Sequence, residues 1–142
     1  MLTKMPPLAK MYEAYSALAD GRVTMGPDRA AVLSSDRAKT YTVRWQGDTY
    51  ASDDNATYWQ GYPGYPVIAV LMLQGRLPYD PPLTSGLAGV DWHALNARFR
   101  RDYDQAAASV LATLPQRDAI TAAAQQAFQQ LSRLDIALKR RL

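Results

Sequence analysis

The chain contains a single imidazole, so any metal site or general-base mechanism that uses histidine must use His93. Asp91 is its near neighbour, and Ser85 or Ser109 would be needed to complete a nucleophilic triad. No Gly-x-Ser-x-Gly elbow accompanies them. A histidine at the start of a helix, with Asp91 as N-cap, accounts for the same residues more simply.

Asp53, Asp54 and Asn55 resemble the opening of a calcium loop, but the pattern fails at once. Counting from Asp53, the sixth position is Tyr58 where glycine is required, and the twelfth is Gly64 where a bidentate glutamate is required. An acidic turn closing a strand is the preferred reading. Phosphate-cradling sequences are missing, and Gly61-x-x-Gly64 and Gly86-x-x-Gly89 are spacings that turn chemistry explains. With no cysteine in the chain, disulfides, thiolate zinc sites, iron–sulfur clusters and a cysteine nucleophile are excluded. No metal and no cofactor is expected, and the chain reads as non-catalytic.

Two further sets of residues could bind something. Aromatic side chains cluster between residues 41 and 79. Within that cluster Tyr58, Trp59, Tyr62 and Tyr65 fall in or beside a Gly- and Pro-rich loop rather than on an alternating strand face, which makes them candidate ligand-binding residues. The competing account is that these rings wall in a neighbouring apolar helix. The second set is basic. Residues 1–90 carry eight cations and eight acids, so the whole formal charge of +3 lies in residues 91–142. Arg98, Arg101, Arg133, Lys139, Arg140 and Arg141 are the candidate nucleic-acid contacts, although solvated charge on helix faces explains them as well.

These side chains must be positioned by a chain of 142 residues, 48% hydrophobic and 20% charged. That suffices for one compact domain, 1–142, with an α+β part over 1–90 and a helical hairpin over 91–142. Apolar residues at helical spacing behind Pro6-Pro7 predict a first helix over about residues 7 to 20, stopped at Asp20-Gly21. A β-branched and aromatic stretch follows, punctuated by turn residues. It predicts a small antiparallel meander of three or four strands, clearest at 39–46. Pro66 opens a helix whose residues 67–73 leave no polar face, the mark of a helix enclosed by its own protein.

The last third carries two apolar stripes, one from Trp92 to Leu114 and one from Ile120 to Leu142, separated at Pro115. They predict a long antiparallel αα-hairpin in which facing residue numbers sum to 230, so that the arginines gather at its open end. The final helix is rich in alanine and glutamine and lacks salt-bridge lacing, which suits packing on a second copy.

The expected fold is therefore α+β: an N-terminal helix, a meander, a buried apolar helix and the hairpin. The expected function is a small cytosolic interaction or scaffold domain that self-associates through the hairpin, its partner being a second copy or another protein. A nucleic-acid binder using the hairpin arginines and loop aromatics is one alternative; a small-molecule enzyme or sensor with a pocket near residues 58–66 is the other. No membrane association is expected, because the longest apolar run, Val67 to Leu73, is far shorter than the roughly 20 residues that a span requires.

Overall fold

The computed structural model describes residues 1–142 as an α+β arrangement. Its centre is α1 (Ala9–Ala19), in which every residue from Ala9 to Ala17 is buried. The Pro6-Pro7 pair precedes it. Gly21, at φ 65°, ends it in the left-handed region, where Arg22 N–H donates to the Ala17 carbonyl. Because α1 is enclosed on every side, its polar residues must find partners inside. Ser16 Oγ donates to the Leu87 carbonyl at 2.7 Å and accepts the Trp92 indole N–H at 2.7 Å, tying the helix to the segment that crosses it.

Strands β1 (Val23–Met25), β2 (Arg29–Leu33), β3 (Thr40–Gln46) and β4 (Thr49–Ser52) form consecutive antiparallel pairs. Ala30, Val32, Val43 and Tyr50 are buried, whereas Arg29, Ala31, Thr40 and Arg44 are exposed, so β2 and β3 pack one face and open the other, while on β4 Ala51, opposite Arg44, is buried as well. Helix α2 (Tyr65–Leu73), with Pro66 in its first turn, is buried from Pro66 to Met72 and packs against α1 and the sheet.

The C-terminal third departs from the expected hairpin. The stripe beginning at Trp92 is two helices, α4 (Trp92–Arg98) and α5 (Tyr103–Leu111), after a single turn α3 (Pro81–Thr84). Between α4 and α5, Arg100 and Arg101 both take positive φ, 53° and 66°. Asp102 then starts α5 by accepting the Gln105 N–H at 3.2 Å. Two consecutive left-handed non-glycine residues turn the chain out of a continuous rod, and Asp102 supplies the new N-cap. Helix α6 (Arg117–Arg133) follows Pro115, but α5 and α6 pack separately on α1 rather than along one another, and the sum-of-230 register does not form.

The chain end is a second correction. Leu134 is extended at ψ 135°, and Ala137–Leu138 form β5, which pairs in parallel with β4 and makes the sheet five-stranded and mixed. Ala137 N–H donates to Asp48 O and Lys139 N–H to Tyr50 O, satisfying the otherwise open edge of β4. Ile136 drives this outcome, since it is buried while its neighbours Asp135 and Ala137 are exposed. The buried cluster running from Ala9 to Ile136 joins both ends of the chain in one core.

Candidate functional site

Where α1, the β2–β3 turn, the segment 54–65 and α4 meet, they leave a cleft of about 590 Å³. Its floor is charged. Lys10 and Glu13, one turn apart on α1, form an ion pair at 3.0 Å between Nζ and Glu13 Oε2, with only 10% and 5% of their side chains exposed. Asn96 from α4 donates Nδ2–H to Glu13 Oε1 at 3.4 Å. Lys10 also lies 4.1 Å from the centre of the Tyr103 ring. One acceptor on this floor, Asn96 Oδ1, is buried without a donor, whereas Glu13 Oε2 is engaged by the Lys10 ammonium.

Burial pushes the Glu13 carboxyl above the usual carboxylate range, and the Lys10 ammonium offsets this only in part. Burial alone would lower Lys10, but the adjacent Glu13 carboxylate reverses the sign and holds the ammonium above its ordinary value. The arrangement can therefore accept a hydrogen bond from a guest at Asn96 Oδ1 beside a buried ion pair. Behind it, Arg22 donates Nε–H to Asp20 at 3.1 Å and Nη1–H to the Leu33 carbonyl at 2.7 Å, with its guanidinium 5.9 Å from the Tyr65 ring. Tyr41 meets Tyr65 edge-on at 6.4 Å, and burial raises the pKa of both phenols.

Asp54 builds the opposite wall. Its carboxylate is buried and accepts hydrogen bonds from Ser52 Oγ, Thr57 N–H and Thr57 Oγ, while Thr57 Oγ accepts from Gly64 N–H at 2.9 Å. A Cβ on Gly64 would stand 2.1 Å from Asp54 Oδ2, so only glycine permits this approach. These bonds fold residues Ala56–Gln60 into one π-helical turn, which Gly61 ends at φ 76°. The turn presents Trp59, 64% exposed, at the mouth of the cleft. Asp54 is thus the anchor of the aromatic loop, and its burial raises its pKa.

Of the four aromatic candidates, Trp59 and Tyr65 line the cleft. Tyr58 sits edge-on to Trp59 at 4.8 Å and lines two other depressions, and half-buried Tyr62 lies 5.3 Å beneath Lys4. Tyr50, by contrast, is a core residue whose hydroxyl donates to Gln74. The six basic candidates do not form one patch. Arg101 is on the cleft wall, Arg98 lies over Phe99, and Arg133 is exposed in the last turn of α6. Lys139, Arg140 and Arg141 follow β5 to the far side of the sheet. They separate because the hairpin that would have gathered them does not form.

His93 is on the cleft rim, its Nε2 4.0 Å from Asp36 and its backbone N–H donating to Ser35 Oγ. Asp91 caps α4 through the Ala94 N–H. Ser85 and Ser109 donate instead to the nearby Pro82 and Ala106 carbonyls, so no triad is assembled. Sequence reasoning missed Lys10, Glu13 and Asn96. A usable signal existed: Glu13 is the sole glutamate, and it lies three residues from Lys10 in a helix crowded with Ala, Met and Tyr.

No group of three or more His, Asp and Glu side chains is arranged to hold a metal ion, and no helix is long and apolar enough to cross a membrane. No curated protein and no solved structure matches the chain. A family model does match, over residues 3–137, and the chain belongs to that family, described as uncharacterised conserved protein UCP014422.

Proposed function

We propose that this protein binds a small, neutral, planar molecule rich in N–H donors in the cleft over Glu13. The buried acceptor Asn96 Oδ1, which has no donor beside the Lys10–Glu13 pair, carries the reading. A buried acceptor without a donor costs about 1–3 kcal/mol, a penalty that a guest with a suitably placed N–H group removes. The Lys10 ammonium, already 3.0 Å from Glu13 Oε2, opposes a second cation, which favours amides and nitrogen heterocycles over amines. The rings of Tyr41, Tyr65 and Trp59 offer stacking surface for a flat body. In this reading the chain acts as one domain, 1–142, in the reducing cytoplasm that a cysteine-free composition suits.

Titration with benzamide, adenine and uracil, followed by NMR amide shifts and Trp59 fluorescence, tests it. Saturable changes at Glu13, Asn96 and Tyr65 that vanish in Asn96→Leu are expected. Absence of saturable change at those residues for all three probes overturns the reading.

A second reading, self-association, rests on α6. Its outer residues Ala119, Ala122, Gln125, Gln126, Gln129 and Gln130 are all exposed and carry no charge. Light scattering that shows a dimer, and a monomer after Ala122→Lys, supports it; a strict monomer at high micromolar concentration removes it.

A further inference from the structure

The open face of the sheet, across from the cleft, concentrates cations that lack acidic partners. Arg29 on β2 and Arg44 on β3 stand directly opposite one another in register, an arrangement in which like charges repel. Asp28 relieves Arg29 at 3.2 Å, but no carboxylate lies within ion-pair distance of Arg44. Pairing of β5 with β4 carries Arg140 and Arg141 to the same face, and neither forms an ion pair. Arg140 is held in place: its Nε–H donates to the Tyr58 carbonyl at 3.1 Å, and its guanidinium lies 5.4 Å and 5.2 Å from the Tyr58 and Trp59 ring centres.

Arg44, Arg140 and Arg141 line one open depression of about 420 Å³ together with Thr42 and Tyr58. Asp53 on its wall accepts the Thr42 backbone N–H at 2.8 Å with one carboxylate oxygen and forms no ion pair with Arg44, Arg140 or Arg141. Three guanidinium groups brought to one concavity by two different strands, one of them opposite a like charge, are a cation cluster that an anion would stabilise.

We propose that this depression is a binding site for a phosphate group. A phosphate offers three or more acceptor oxygens and a charge near −2, enough to engage three guanidinium forks, whereas a carboxylate has two oxygens and one charge. A terminal phosphate of a small phosphorylated molecule meets this description with one group; a backbone phosphodiester has one charge and two free oxygens, so a single-stranded nucleic acid would set successive phosphates against the three arginines, and the shared chemistry is the phosphoryl oxygens. The site is separate from the cleft and stands or falls independently of it.

The experiment is a pair of NMR titrations at low salt, one with inorganic pyrophosphate and one with a short oligothymidylate. Saturable amide shifts at Thr42, Arg44, Ala51 and Asp53, without shifts at Glu13 and Asn96, are expected from at least one probe. Arg44→Gln should weaken binding about tenfold, the size of one lost charge-assisted contact. Its Tm in the absence of anion should stay level or rise, because the repulsion from Arg29 is gone; a variant that merely misfolds would show a fall. Tighter binding of the oligonucleotide, with a log–log salt slope of about −2 for three contacts, identifies a strand as the source. Response to pyrophosphate alone identifies a small phosphorylated molecule. No saturable shift with either probe, or undiminished binding in both Arg44→Gln and Arg141→Gln, overturns the proposal.

Discussion

Helices α1 and α6 solve the same problem, packing on the core, in opposite ways. In α1 the polar side chains Lys10, Glu13 and Ser16 are buried, and each has a partner inside the protein. In α6 only Ile120, Ala124, Ala127 and Leu131 are buried, while the glutamines face outward without side-chain partners. A helix with a solvated face can shed its polar groups into water. An enclosed helix cannot, so every polar residue it retains must be matched internally or left for a guest. That difference locates the cleft on α1.

The comparison breaks most visibly at Glu13. Glu13→Ala leaves the Lys10 ammonium buried without its counter-ion and should destabilise the protein by about 3–5 kcal/mol in urea unfolding. The double variant Lys10→Met/Glu13→Leu should recover most of that loss, since replacing both charges by apolar groups removes the desolvation cost together with the attraction. If the single variant is nearly neutral, the pair is not buried in solution and the contrast with α6 fails.

A pH series sharpens the same contrast at Asp54, the other buried carboxyl of the cleft. Its folded-state pKa lies above the ordinary value, so the protonated form is favoured by folding. The stability it contributes is fully present below the unfolded carboxylate pKa and is lost as pH rises through the higher folded value. Asp54→Asn cannot ionise, so its Tm should gain on the wild type as pH is raised from the carboxylate range towards neutrality. A difference in Tm between the two proteins that is independent of pH would contradict this. The smallest effect belongs to α6: Gln126→Ala should change stability by less than about 0.5 kcal/mol in the same urea assay, because its side chain is exposed and touches no specific partner.

Legibility followed how local each signal was. The N-terminal helix, the antiparallel strands and the apolar helix 65–73 are visible because period and punctuation agree within short windows. The end of the chain is harder. Leu131, Leu134 and Leu138 satisfy a helical spacing, yet Leu134, Ile136 and Leu138 also alternate, and the open edge of β4 selects the second pattern. The break at Arg100 and Arg101 has no glycine or proline to announce it; the N-cap Asp102 is the trace it leaves. Of the candidate site, the aromatic loop was visible as composition. The floor was not, because Glu13 and Asn96 are 83 residues apart and, like Lys10, ordinary within their own helices.

From residue order alone came the α+β class, the apolar helix that must be enclosed, the exclusion of cysteine chemistry and the location of the excess positive charge, all of which depend on identity and near neighbours. Tertiary structure alone decided that α4 covers α1 at Asn96, that Asp54 folds the aromatic loop towards the cleft, and that the chain end becomes a strand bearing arginines to the open sheet face. Those outcomes depend on which unsatisfied edge or buried charge a distant segment can reach, and such long-range matches are not written in any one window of sequence.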